Sequence, residues 1–225
     1  MFGRFIDPEL LLRTYRDPLA WVSLVADVLP VIGVIVFGWG AVPLVALYWL
    51  ENLVVGVFNV LRMWATGLAH PSRWVAGVFL SVFFTVHYGM FCFVHGVFLR
   101  SFDAVSGSSG MESPIGLVNW ALSTGPQLPW FVVAIIGVNA LFFAVDYLGR
   151  RQFERGNPAK LLFQPYGRIV TLHIAILLGG GLAVAMGEPL LGVLFLIVLR
   201  VIFGVALSVF RRLGLDKSVD AQLPV

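Results

Sequence analysis

The sequence predicts an all-α integral membrane protein: a bundle of six transmembrane helices with both termini cytoplasmic. Three observations predict it. The chain is 59% hydrophobic and only 12% charged, with a mean hydropathy of +0.93, whereas a soluble domain carries about 25% charged residues. Apolar stretches of roughly 20 residues, the length that crosses a hydrocarbon core, recur at about 18–38, 43–66, 74–99, 129–148, 168–186 and 189–210. The positive residues segregate. Of the 15 Lys and Arg residues, Arg100 lies on the outer side and Arg200 within a segment, and the rest fall on one side. That side is the cytoplasm by the positive-inside rule. Little sequence is left for a soluble domain, so 1–225 is read as one membrane domain.

The same numbers exclude other classes. The net charge of +3 sits at segment ends, where membrane lipid explains it and no nucleic-acid partner is called for. The lone cysteine, Cys92, excludes an internal disulfide. Met1 to Arg16 lacks the apolar core and cleavage site of a signal peptide, and Glu9–Arg13 fits a short interfacial helix.

The first segment passes Asp27 and Pro30, where a proline kink would free a carbonyl near Asp27. Gly38–Pro43 is an outer turn that should set Trp39 at headgroup level. In the second segment Tyr48, Glu51, Asn52, Val55, Asn59 and Arg62 recur at three- and four-residue spacing. They form one helical stripe, and lipid cannot face its carboxylate and amides, so the stripe should point inward.

The third segment carries His87 and His95 and is expected to be the centre around which the bundle is built. Gly89 and Gly96 offer it a flat contact patch. Residues 101–128 form the long outer loop, with a short helix expected over Ile115–Leu122 and a lid as one reading of the whole.

The fourth segment carries Asn139 and, near its inner end, Asp146, which is close to Arg150 in sequence and reads as an interfacial charge. Tyr147 to Arg168 reads as a basic cytoplasmic loop. The fifth carries His173 and Gly179–Gly181. The sixth opens at Pro189 and carries Arg200.

Depth suggests a shared site. Counting from outer segment ends, His87 lies about 18 Å deep, His173 about 19 Å, Arg200 about 16 Å and Asp27 about 18 Å. Asn139 falls near about 15 Å, Glu51 near about 12 Å and His95 near about 6 Å. His87, His173 and Glu51 therefore form the expected trio, with His95 lining an approach from outside.

Two imidazoles and a carboxylate match a divalent-metal shell, zinc above all, with an open position for water and hydrolase-like chemistry. Asn52 and Asn59 would support it, and Asp27, Asn139 and Arg200 would lie around it. The alternative is a transporter or proton relay for a small solute, since buried Glu and His carry protons in many pumps. A purely structural network, with Arg200 neutralising Asp27 or Glu51, is the third reading. Gly-rich faces would seat a homo-oligomer.

Two stretches, Y-W-L-E-N-L-V-V-G-V-F-N-V-L-R-M (Tyr48–Met63) and F-F-T-V-H-Y-G-M-F-C-F-V-H-G-V-F (Phe83–Phe98), resemble the hallmarks of a bacterial and archaeal membrane family filed as a domain of unknown function. Pro165–Ile174 is similar to its third stretch. The resemblance implies a multi-spanning protein of the bacterial or archaeal cytoplasmic (inner) membrane without an assigned activity. Phe83-x-x-x-His87 also resembles an element of CAAX-type intramembrane proteases. Their paired glutamates and following Arg are replaced here by Glu51-Asn52 and Gly56.

Overall fold

In the computed structural model the described residues are 18–70, 72, 74–101, 113–163, 165, 166, 170, 198 and 202, and no strand occurs among them. Helix α1 is Pro18–Phe37, α2 is Ala41–Ala69, α3 is Trp74–Ser101 and α4 is Pro114–Ser123. Helix α5, Leu128–Leu141, continues as a π-helix over Phe142–Gly149. Two short helices follow, α6 (Gln152–Arg155) and α7 (Pro158–Phe163).

Three helices are long and apolar enough to cross a membrane: Ala41–Ala69, Trp74–Arg100 and Leu128–Gly149. They correspond to the second, third and fourth predicted segments. Helix α1 matches the first segment and runs through Pro30. The fifth and sixth predicted segments lie outside the described residues, apart from Val170, Val198 and Ile202, which are helical and exposed.

The enclosed helix is α2, not α3 as the sequence suggested. Of its most apolar window 72% is buried, against 28% for α3 and 11% for the span containing α5. The reason lies in composition. Helix α2 carries the polar stripe and must hide it, whereas much of the α3 surface is apolar and suits lipid. Val75, Phe79, Val82, Val86, Met90 and Val94 are all exposed along α3.

Helices α2 and α3 pack antiparallel, and small residues beneath aromatic rings set their register. Gly96 lies under the Trp49 indole, and a Cβ there would sit 2.7 Å from Cζ2. Gly56 lies under the Tyr88 ring in the same way, 2.8 Å from Cε1. Backbone acceptors lock the same register: Trp49 Nε1 donates to the Cys92 carbonyl at 2.8 Å, and Tyr88 Oη to the Asn52 carbonyl at 3.1 Å. Further in, Trp64 Nε1 donates to Ser81 Oγ at 3.0 Å.

The end expected to face outward is closed by α1, α4 and α5. Gly38, at φ +65, ends α1 in the left-handed conformation that suits glycine. Trp39 then folds back, donating its backbone N–H to the Gly33 carbonyl at 3.1 Å. Trp39 is buried, its ring against Phe131 with centroids 4.7 Å apart. Helix α4 begins at a Ser113 cap, whose Oγ accepts from the Gly116 N–H at 3.0 Å, with Pro114 next. It buries Leu117, Trp120 and Ala121. The described part of the long outer loop is thus a packed helix near the expected place.

The inner connection departs most from expectation. Tyr147–Arg168 reads in sequence as a basic cytoplasmic loop. Instead α6 packs on α2 and the π-helix, and α7 packs on α2 and α3. Leu162 is buried with Met63, Phe84, Tyr88 and Cys92. The apolar residues between the charges, Leu161 and Leu162, make this favourable.

The glycine register makes a prediction. Gly96→Ala should lower stability by about 1–3 kcal/mol through overpacking against Trp49 and Leu117. Gly89→Ala, where a Cβ meets nothing within 4 Å, should leave stability unchanged or raise it through helix propensity. Thermal unfolding of both variants in the same detergent checks the contrast.

Candidate functional site

The polar stripe of α2 is buried along its length. Tyr48, Glu51, Asn52, Val55, Asn59 and Thr66 are all buried, and Arg62 is half-buried. Tyr48 to Thr66 covers about 27 Å of helix axis. The spacing of three and four keeps these residues on one side, next to the face that meets α3. Glu51 is 6% exposed and Asn59 fully enclosed. Tyr48, Glu51 and His95 are each held by at least one interaction.

Fixed bonds hold the inner half of the stripe. Thr66 Oγ1 and Tyr147 Oη form a short hydrogen bond. Tyr147 Oη also donates to the Arg62 carbonyl at 3.1 Å, so the threonine hydroxyl is then the donor to tyrosine. The Arg62 guanidinium lies 5.9 Å from the centre of the Tyr147 ring, within cation–π range. One turn further out, Asn59 Nδ2 donates to the Leu161 carbonyl at 2.9 Å. Asn59 Oδ1 is buried and accepts no hydrogen bond among the described residues.

The α2–α3 register sorts the histidines. Trp49 opposes Cys92 and Gly96, and Gly56 opposes Tyr88. Glu51 is therefore level with the stretch just before His95, while His87 lies about 9 Å further in along the axis. His95 is buried, at 7% exposure. It is the histidine at the height of Glu51, rather than a residue of an outer approach. His87 is half-buried in an aromatic setting. It stacks on Phe83 (centroids 5.3 Å, interplanar 15°), meets Phe91 edge-on at 5.3 Å and faces Tyr166 at 5.9 Å. Glu51 and His87 are not brought together at one height.

The remaining expected site residues fall as follows. Asn52 is buried on α2 beside Tyr88, which uses its carbonyl. Asn139 is half-buried, and its amide donates within its own helix to the Ile135 carbonyl at 2.9 Å. Asp27 lies on α1 with its side chain outside the described residues. His173 and Arg200 also lie outside them. Asp146 pairs with Arg150 at 3.0 Å, a partly exposed i,i+4 pair of the kind that contributes at most about 1 kcal/mol. His70 caps the inner end of α2, its Nδ1 3.2 Å from the Thr66 carbonyl. Among the described residues, no three of His, Cys, Asp and Glu converge tightly enough to hold a metal ion.

Sequence reasoning missed Thr66, Tyr147 and Leu161. Thr66 was within reach, four residues past Arg62 on the same stripe. Tyr147 carries its signal only in the fold, where it closes over Arg62 and Thr66. Leu161 contributes a backbone carbonyl, which no residue pattern marks.

The Tyr147 hydroxyl makes a prediction. Tyr147→Phe leaves Thr66 Oγ1 and the Arg62 carbonyl short of a partner and should destabilise by about 1–3 kcal/mol. Combined with Thr66→Val, the loss should be clearly less than the sum of the two single losses, as expected for contacting groups. A double-mutant cycle in denaturant or heat measures it.

A family of unknown function (DUF6498) matches residues 9–221 of the chain. No curated protein and no solved structure matches it.

Proposed function

The chain belongs to that family of unknown function, and with no activity to inherit from it, we propose that it relays protons, or moves a small solute with them, along the α2 stripe. It would do so as a six-span protein of the bacterial or archaeal cytoplasmic membrane, both termini inside. The observation that carries the reading is the buried stripe itself. A carboxyl, two amides and hydroxyls occupy one side of a membrane-length helix that neighbours enclose. A network serving stability alone is more readily built from apolar residues. Intramembrane carboxyls and imidazoles at one height are the usual makings of a proton path.

Each group has a role the chemistry allows. Glu51 takes up a proton as carboxylate and releases it as carboxylic acid. His95, at its height on α3, is an imidazole that could exchange that proton. Asn52 and Asn59 offer donors and acceptors without charge. Thirteen positive residues on one face support the orientation. The exposed helical residues Val170, Val198 and Ile202 are in keeping with the fifth and sixth spans, 168–186 and 189–210.

A divalent-metal centre, zinc first, is the second reading. The matched height of Glu51 and His95 favours it, since these are two zinc-type donors on facing helices. A third donor would come from the C-terminal third, where His173 is the candidate. A bound zinc would supply an activated water and so hydrolase-like chemistry. The set present among the described residues falls short of three donors, so this reading stands second.

Proteoliposomes with a trapped pH dye test both. Glu51→Gln should lower imposed-gradient proton flux at least tenfold and His95→Gln by a similar factor. His87→Ala should stay within about twofold. Elemental analysis of the same preparations decides the second reading. Stoichiometric zinc in wild type, lost in Glu51→Gln and His95→Gln, would put the metal centre first. A Glu51→Gln protein with unchanged flux and metal but a lower melting point would sink both.

A further inference from the structure

We infer that Gln152–Phe163, with Pro165 and Tyr166, is a strap that closes the inner half of the α2 stripe and must lift before that stripe opens to the cytoplasm. As the inner gate of the site, it rests on the relay reading; as a strap that lifts, it stands by itself.

The strap begins at a sharp reversal. Arg151 holds φ 53, the one positive φ at a non-glycine among the described residues, and turns the chain back toward α2 directly after the π-helix. Gly156 then seats on the stripe. A Cβ at this position would lie 2.7 Å from Thr66 Oγ1, 3.0 Å from Thr66 Cγ2 and 3.3 Å from Tyr147 Oη. Only a residue without a side chain brings the backbone that close.

Asn59 is the latch. A six-residue helix leaves its last carbonyls without partners, and the Leu161 carbonyl of α7 is taken by Asn59 Nδ2 at 2.9 Å. The same amide's Oδ1 is buried without a hydrogen bond among the described residues. Asn59 thus gives its donor to the strap and keeps an unused acceptor inside.

The strap ends in an aromatic seat. Tyr166 meets Phe84 edge-on at 6.4 Å, Tyr88 at 5.9 Å and His87 at 5.9 Å. Cys92 is buried in this cluster with Leu162. By the α2–α3 register, Cys92 stands at the height of Asn52. Tyr166 and Leu162 therefore cover the groove just inward of Glu51.

The strap's build suits lifting. Helices of four and six residues have almost no stability of their own. The Asn59–Leu161 hydrogen bond and a few apolar side chains hold them, while the outer surface carries the exposed Glu154, Arg155 and Lys160. Low local stability of this kind is where opening motions concentrate. By contrast α2 and α3 run unbroken for 29 and 28 residues.

Cys92 is a native reporter, because a thiol in a dry groove does not react with a water-borne reagent. Full-length protein in inside-out vesicles is exposed to a membrane-impermeant maleimide. Wild type should label slowly. Asn59→Leu, which removes the latch, and Gly156→Ala, which crowds the seat, should each label at least tenfold faster. Gly156→Ala with Thr66→Ala should fall back toward wild type, because the missing methyl and hydroxyl make room. Right-side-out vesicles should show no increase, and unchanged melting confirms that the variants are folded.

Folded latch variants that label at the wild-type rate would overturn the strap, as would equal acceleration from both faces. If the variants fail to fold, hydrogen exchange on wild type decides. Amides of 152–163 should exchange at least a hundredfold faster than those of 48–66, and equal protection would overturn the strap. The relay reading is separated by flux. Unaffected flux in Glu51→Gln removes the relay and leaves the strap, whereas normal Glu51-dependent flux through Asn59→Leu that labels like wild type removes the gate.

Discussion

Everything in this structure follows from one constraint: a helix long and apolar enough to cross a membrane carries a carboxylate and several amides that hydrocarbon cannot solvate. Burying an unpaired amide or hydroxyl in an apolar medium costs several kcal/mol, and a charge costs more. Glu51, Asn52 and Asn59 can therefore persist only if protein covers them. Helix α2 is accordingly the enclosed helix, and the apolar surfaces of α3 and α5 are left for lipid. The carbonyl lost to Asn59 from α7 and the hydroxyls traded between Thr66 and Tyr147 belong to the same solution.

That constraint needs rigid neighbours, and the sequence supplies them by pairing small residues with large rings. In lipid, helices gain little from apolar burial between them, so close packing and specific hydrogen bonds fix their positions. Gly96 under Trp49 and Gly56 under Tyr88 let α2 and α3 approach closely. Each ring also sends its polar atom across to the facing backbone. One aromatic side chain thus fixes both distance and register. The register then determines that His95, not His87, shares the height of Glu51.

Much of this was legible in the sequence, for definite reasons. Apolar length gave α2, α3 and the α5 span to within a few residues, because hydrocarbon thickness sets the length a spanning helix needs. The inward stripe was legible because 3.6-residue periodicity survives any tertiary arrangement. Depth along separate helices was not, because it was counted from uncertain ends, and a shift of a few residues moves a side chain by several ångströms. That is how His87 was placed with Glu51 and His95 set aside. The packing of Trp39 onto Phe131 was not legible either, because it depends on the Gly38 turn that folds the ring back.

The inner connection carries the deeper lesson. Arg150, Arg151, Arg155 and Lys160 satisfy the positive-inside rule, and a charge pattern that has one sufficient explanation hides a second. Between those charges stand Gly156, Leu161 and Leu162, a glycine and two leucines that a solvated loop does not require. They do what the stripe demands at that end, where Gly156 lies against Thr66 and the Leu161 carbonyl takes the Asn59 amide. A cover held by an amide and a bare backbone, rather than by a long apolar helix, shuts the groove at modest cost. The weakness of that closure follows from the same constraint that makes the cover necessary. In the proposed relay the polar groups must be hidden from lipid at all times, but from water only while the strap is down.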